Sequence, residues 1–400
     1  MESLRRSLGW WVCALAISTA ALGLAHFRSR DPDSELYARI AADLAERPVR
    51  SWIAPMWPKG AYVEGLFQDH PAGLFLAPAL LARLGYPALQ ASYAVGLFYT
   101  AATFAVLPGA LGAFAPQEGP LLASFCQLLP IFFVFRVRAN HEPAVALFLL
   151  LSIWGAERVW RGFRGGLLVL VASLAALMLV KGFFAFPAAL CALLFLYVRA
   201  RAHGVPPGPL LVRALLSLSA ALAAVALCYE GLYRDVTGES FLQGYVQRSF
   251  RLGEGGEGPW SPAIVPYNLL FYCGRILWFA FPWSLVFLAA AFQKARAGRL
   301  FPSIDPKAQG LVFALGSCVI YVGLFSLSGR RAERYIFPVY LLVGALGLVD
   351  GLDRWPWLRR AASRLEAARS ALPALVWLAL FGFHLASMRL ALPRVKVWHP

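Results

Sequence analysis

The sequence predicts an all-α membrane protein, a polytopic helical bundle of about 11 transmembrane helices with interfacial helices on its outer face. Three observations carry this. Of the 400 residues 60% are hydrophobic and only 14% charged, against roughly 25% charged in a soluble domain. Apolar runs of about 17–25 residues, the length needed to cross a bilayer, recur along most of the chain. No series of ~10-residue alternating segments suggests a membrane barrel, so helices are the way left to satisfy the backbone in lipid.

Spans are expected near 9–27, 88–113, 119–135, 143–157, 165–180, 183–198, 210–228, 266–292, 310–328, 336–350 and 371–390, all within one transmembrane domain over 1–400. The first run follows Arg5 and Arg6 like a signal peptide, but it is long and followed by His26-Phe27-Arg28, which fits an uncleaved span. The stretch 72–86 is apolar but short and reads as an interfacial or re-entrant helix.

Charge sets the expected orientation. The formal net charge is +16, which in a soluble protein would point to nucleic acid. Here the cations gather in loops on one side: Arg158, Arg161 and Arg164; Arg199 and Arg201; Lys294, Arg296, Arg299 and Lys307; Arg354, Arg359, Arg360, Arg364 and Arg369. That is the positive-inside pattern, with a cytoplasmic N-terminus and no nucleic-acid partner. Fourteen of the 21 acidic residues fall on the other side, seven of them in the first outer loop, 28–71. Within that loop Leu36, Ile40, Ala41 and Leu44 recur at helical spacing, which predicts a short amphipathic helix on the membrane surface, followed by Trp52 and Trp57 as interfacial anchors. A second outer loop, 229–263, carries Tyr233, Tyr245, a Gly/Glu-rich stretch and Trp260. The six cysteines lie in or beside apolar runs, none in metal-binding pairs, and read as small buried hydrophobes.

Four outward clusters could carry chemistry. In Asp33-Ser34-Glu35-Leu36-Tyr37 a carboxylate could take a proton from a hydroxyl; Asp33 is equally an ordinary helix cap. Asp69 and His70 close the first loop as an acid–base pair or as caps of the next helix. Arg138, Asn140, His141 and Glu142 sit between two apolar runs, where polar groups are costly unless they line an aqueous cavity. Lys181, Arg330, Arg331 and Arg334, the last before Tyr335, are cations on the outer side, against the general trend. They suit phosphate, or snorkel to headgroups. The sequence has no Walker loop, no His-Glu-x-x-His and no nucleophile elbow, so any outer-face reaction needs a donor already there.

The order of these motifs resembles the GT-C glycosyltransferases of the protein mannosyltransferase and aminoarabinose transferase type. Asp33-Ser34-Glu35-Leu36-Tyr37-Ala38-Arg39-Ile40-Ala41 is similar to their first-loop motif, Gln68-Asp69-His70-Pro71 to their His-Pro signature, and Asn140-His141-Glu142-Pro143 to the acid opening their fourth span. Val180-Lys181-Gly182, Phe281-Pro282-Trp283-Ser284 and Arg334-Tyr335-Ile336-Phe337-Pro338-Val339-Tyr340 follow in the family's order. His70 stands where some members have Lys, Glu142 where others have Asp, and Val180 where Thr is usual. The resemblance implies a multi-pass inner-membrane enzyme with its active site facing the periplasm or exterior. It would move a sugar from a polyprenyl-phosphate donor to a lipid, glycan or protein hydroxyl. Asp33, with Glu142 as second candidate, would be the catalytic base. Lys181, Arg330, Arg331, Arg334 and Tyr335, with His70, would hold the donor phosphate. Glu35, Tyr37, Asp69, Arg138, Asn140 and His141 complete the candidate site. No cofactor is required, no metal cluster is evident, and a divalent metal is compatible with the scheme. The competing reading is a transporter or flippase for an anionic or lipid-linked substrate, whose charges would lie near the bilayer midplane.

Overall fold

The computed structural model describes residues 32–60, 63–115, 119–127, 129–135, 138–251, 262–298, 308–328 and 331–367. The expected spans 9–27 and 371–390 lie outside them, as do Arg330 and most of the Gly/Glu-rich stretch with Trp260. The described residues form helices joined mostly by short turns; the exception is the loop 47–72, which holds a 3₁₀ turn (Val49–Ile53) and one isolated antiparallel bridge between Met56 and Leu66. They build a multi-pass membrane protein.

Helices α1 (Pro32–Glu46), α2 (Gly73–Arg83) and α3 (Ala88–Leu111) open the described chain. Next come α4 (Gly119–Cys126), α5 (Pro130–Phe135), α6 (Glu142–Trp160), α7 (Gly166–Lys181) and α8 (Ala185–Ala202). The rest are α9 (Gly208–Thr237), α10 (Phe241–Arg251), α11 (Ile264–Phe279), α12 (Trp283–Arg296), α13 (Gln309–Ser326), α14 (Phe337–Arg354) and α15 (Pro356–Ala367). Among the described residues six helical stretches are long and apolar enough to cross a membrane, or seven if α11 and α12 count as one. One of the six, Gly166–Ala202, is 37 residues long and doubles back at Gly182. The proof lies in its ion pairs along α6. Lys181 meets Glu142 at one end, and Arg199 meets Glu157 at the other. Fifteen residues of helix separate the two acids, about 22 Å at 1.5 Å per residue, so α7 climbs and α8 returns.

Lipid-facing side chains identify themselves as large exposed apolar residues within the spans, among them Leu168 (72% exposed), Leu270 (73%) and Val319 (73%). Inside the bundle, glycines let backbones approach. An added Cβ on Gly155 would lie 2.6 Å from the Leu170 nitrogen, which is why α6 and α7 pack so tightly.

Several expectations change. The run 119–135 is two short helices, because Pro130 disfavours helix at the residue before it and has no N–H to give. The run 266–292 bends by 115° between α11 and α12, at Pro282. The amphipathic helix exists as α1, but Ile40, Ala41 and Leu44 are wholly buried against protein rather than laid on lipid. Trp52 and Trp57 are buried in the same cluster and are not membrane anchors. An apolar stripe reads alike whether lipid or protein covers it. Cys228 and Cys273 face outward, whereas Cys126 and Cys191 are buried.

At the end of the bundle away from α1, Glu157 binds Arg161 (2.6 Å) and Arg199 (3.4 Å), and Arg199 donates to Gln309 (2.8 Å). This network joins α6, α8 and α13. The α1 end holds the candidate site.

Candidate active site

Acids in the first turn of α1, Asp33 and Glu35, suit the positive end of its dipole. One turn on from Asp33, Tyr37 faces the same way. Ser34 Oγ accepts from the Ala139 N–H at 2.9 Å and fastens α1 to the 138–141 turn. That turn delivers His141 to the N-cap of α6 and Glu142 to its first turn, where Pro143 fits without a lost hydrogen bond.

The loop before α2 is folded by Trp57 N–H to Gly65 (2.9 Å) and Phe67 N–H to Pro55 (2.8 Å). It carries His70 against His141, ring centroids 4.3 Å apart. The His141 ring meets Tyr37 edge-on at 4.9 Å. Neither His70 Nδ1 nor His141 Nε2 has a hydrogen-bond partner, and both atoms are buried. Burial, first, and the Lys181 and Arg334 charges hold the His70 imidazole well below its usual range; His141 is depressed by burial, then by His70 and the same two cations. Burial and the Asp33 carboxylate push the Tyr37 phenol up.

Lys181 ends α7, and its Nζ lies 2.7 Å from Glu142 Oε1, with the two side chains only 3% and 1% exposed. Phe184 faces the ammonium at 4.5 Å. The chain turns at Gly182 with φ +56°, and a Cβ there would strike the Tyr245 hydroxyl. That hydroxyl accepts from the Phe183 N–H at 3.1 Å, seating α10 over the turn. Arg334, in the 3₁₀ turn Glu333–Ile336, reaches across to Asp33 in a close ion pair. Both side chains stay about one-third exposed although Arg334 also faces Glu142, Tyr37 and Tyr335. Asp33 and Arg334 are thus the reachable mouth of a recess whose floor, Glu142, Lys181 and His141, is buried.

The structure therefore brings Asp33, Tyr37, His70, His141, Glu142, Lys181 and Arg334 together from five segments. Asp69 lies beside them, tied to Arg248 at 3.4 Å. Tyr335 packs on Phe325 and Phe184 at the margin. Asn140 is buried, both amide atoms lacking hydrogen-bond partners, in a crevice with Tyr37, Phe75 and Tyr99. Arg138 is half-buried over the Phe135 ring. Glu35 points away on the exposed side of α1, and Arg331 is exposed. Among the described residues no group of three His, Cys, Asp or Glu could hold a metal ion.

Arg248 and Tyr245 were not among the candidates. Their signal was there: an aromatic and a cation on the amphipathic stretch 241–251 of an otherwise acidic outer loop. Beside the recess runs an apolar groove of about 690 Å³ between α2, α7 and α9. Ala72, Gly73 and Leu179 line it, within two or three residues of both His70 and Lys181, and an exposed Arg50–Asp235 pair (2.6 Å) marks its rim.

A scan of the sequence against protein-family models finds no match, and a search of curated proteins finds none. Solved structures do match. ArnT from Cupriavidus metallidurans bound to undecaprenyl phosphate superposes with a TM-score of 0.61 at 16% identity, over 96% of this chain and 73% of that one. The apo form of ArnT gives 0.60 at 18% identity, over 97% and 72%. The chain has the GT-C fold of this aminoarabinose transferase.

Proposed function

We propose that the protein is a membrane glycosyltransferase that moves a sugar from a polyprenyl-phosphate donor to an acceptor hydroxyl, by one inverting displacement. One observation carries the reading. Two cations, Lys181 and Arg334, and a reachable carboxylate, Asp33, share a recess that abuts an apolar groove. The groove suits an isoprenoid tail and the cations suit its phosphate. The fold shared with a structure that holds undecaprenyl phosphate supports the same ligand class.

In the reaction the acceptor oxygen bonds to the anomeric carbon from one side while the carbon–phosphate oxygen bond breaks on the other. Asp33 takes the acceptor proton. The phosphate leaves with a second charge, which the reachable Arg334 stabilises at the mouth and the buried Lys181 stabilises from the floor of the recess. Asp33 is the better base because one-third of its side chain is reachable, whereas Glu142 is sealed against Lys181. Glu142 then acts through Lys181, as a positioning residue. In the empty site Arg334 holds Asp33; a donor phosphate competes for Arg334 and frees the carboxylate. The split of acids and bases along the sequence supports a cytoplasmic N-terminus with the recess facing outward, and the fold shared with ArnT supports a bacterial inner membrane.

The test is single-turnover transfer beside donor binding, in nanodiscs, with labelled polyprenyl-phosphate sugar. Asp33→Asn keeps the shape but cannot accept a proton, so transfer falls by about 10²–10⁴ while donor binding persists. Asp31→Asn, outside the described residues and outside the motif, costs far less. Near-normal transfer by folded Asp33→Asn removes the base assignment. Donor movement across the membrane without transfer would favour a flippase.

A further inference from the structure

The histidine pair has no task in the displacement just described, yet it sits at the centre of the recess. Its rings are 4.3 Å apart, wedged among Phe67, Phe75 and Tyr37. Unpartnered buried polar atoms are uncommon and ask for an explanation; here each ring has one, His70 Nδ1 and His141 Nε2. Two imidazolium ions this close would repel strongly, so the pair takes at most one proton beyond those of the two neutral rings and titrates as a unit.

The charged groups facing the pair come from every element around it. Asp33 and Tyr37 lie on α1, Asp69 next to His70 on its loop with Arg248 of α10, Glu142 next to His141 on α6, Lys181 on α7 and Arg334 on the 3₁₀ turn. Lys181 is matched by Glu142, Arg334 by Asp33 and Arg248 by Asp69. The empty recess is thus balanced. A phosphodiester brings one negative charge into it, and the released monoester nearly two at neutral pH.

We propose that His70 and His141 form a single proton-holding unit that takes one proton from solvent when a lipid phosphate enters the recess and keeps it until the phosphate leaves. The idea rests on the donor reading above. While the recess is empty, burial and the two nearby cations keep both imidazoles neutral. An anion bound to Lys181 and Arg334 cancels the repulsion they exert, and the imidazolium offers its N–H to the phosphate or to a carboxylate the phosphate has displaced. The acceptor's proton goes separately to Asp33, and no other bond changes at the pair.

The experiment is titration calorimetry of the full-length protein in nanodiscs near pH 7, in two buffers of different ionisation enthalpy. The probe is the methyl ester of a polyprenyl phosphate. This diester has no group of its own that titrates near neutrality, so any proton taken up belongs to the protein. Binding should take up a substantial fraction of one proton, and affinity should rise as pH falls, by at most about tenfold per pH unit. His70→Gln and His141→Gln should each abolish the uptake, and the double variant should do no more than either. Protein labelled with ¹⁵N at histidine gives the same answer without substitution: ligand should move two ring signals toward the imidazolium position. Binding without uptake, or uptake that survives either substitution, overturns the pair. Failure of folded wild-type protein to bind the diester overturns the donor reading as well.

Discussion

At the scale of single residues, the Glu142–Lys181 contact is the most consequential. Both groups are sealed from water, so each depends on the other for its charge. Glu142→Gln leaves Lys181 uncompensated and is expected to lower stability by about 3–5 kcal/mol. Pairing Glu142→Gln with Lys181→Met removes both charges and should recover most of that loss in thermal unfolding, without recovering donor binding. Full activity in the double variant would mean that Lys181 never meets the phosphate. Arg334→Ala leaves Asp33, about one-third exposed, open to water and should fold, but should weaken donor binding about ten- to a hundredfold, the range for a lost charge-assisted contact. The histidines give a pH dependence with a fixed sign. Unfolded imidazoles bind protons below about pH 6.5, while the folded ones, depressed by burial, resist. The unfolded state therefore gains protons first, and stability of the empty protein falls as pH drops through that value. His141→Gln should flatten this slope in a melting series between about pH 8 and 5.5. These contacts were only half legible. Asp33, His70, Glu142, Lys181 and Arg334 announced themselves as polar groups at span ends. Who meets whom did not, because Glu142 finds Lys181 only after an intervening helical hairpin is built.

At the scale of elements, glycines decide how closely helices approach. A Cβ on Gly73 would lie 2.5 Å from the Leu179 carbonyl oxygen, a backbone atom that cannot swing aside. Gly73→Ala should therefore push α2 off α7 and lower both the unfolding temperature and donor affinity. Gly231, inside α9, meets nothing within 4 Å. Gly231→Ala should raise stability slightly, since alanine is favoured over glycine by roughly 0.5–1 kcal/mol in a helix interior. Equal effects from the two would undo the packing argument. Long apolar runs make most helices legible, but the runs 119–135 and 266–292 continue unbroken through Pro130 and Pro282. A hydrophobicity count does not register a missing N–H, although proline itself was in plain view. The burial of Trp52 and Trp57 was less accessible, since an amphipathic stripe does not say what covers it.

At the scale of the whole molecule, α6 is fastened at both ends, to α7 by Glu142–Lys181 and to α8 and α13 by Glu157–Arg199–Gln309. The recess thus rests on a frame that spans the bundle. The groove had no sequence signature at all, because its walls come from segments far apart in the chain. If the groove holds the tail of the proposed donor, its rim bears on how that donor would arrive. Arg50 and Asp235 pair across its edge, and both are largely exposed, so their attraction is weak and salt-sensitive; on the proposed reading they mark the groove's watery side. A long-chain lipid gliding in sideways from the bilayer never needs that pair to part. A short, water-soluble analogue descending from above does. Raising ionic strength should therefore speed use of short-chain donors while leaving long-chain donors nearly unaffected, so that the same weak contact acts as a customs post for one route and is invisible to the other.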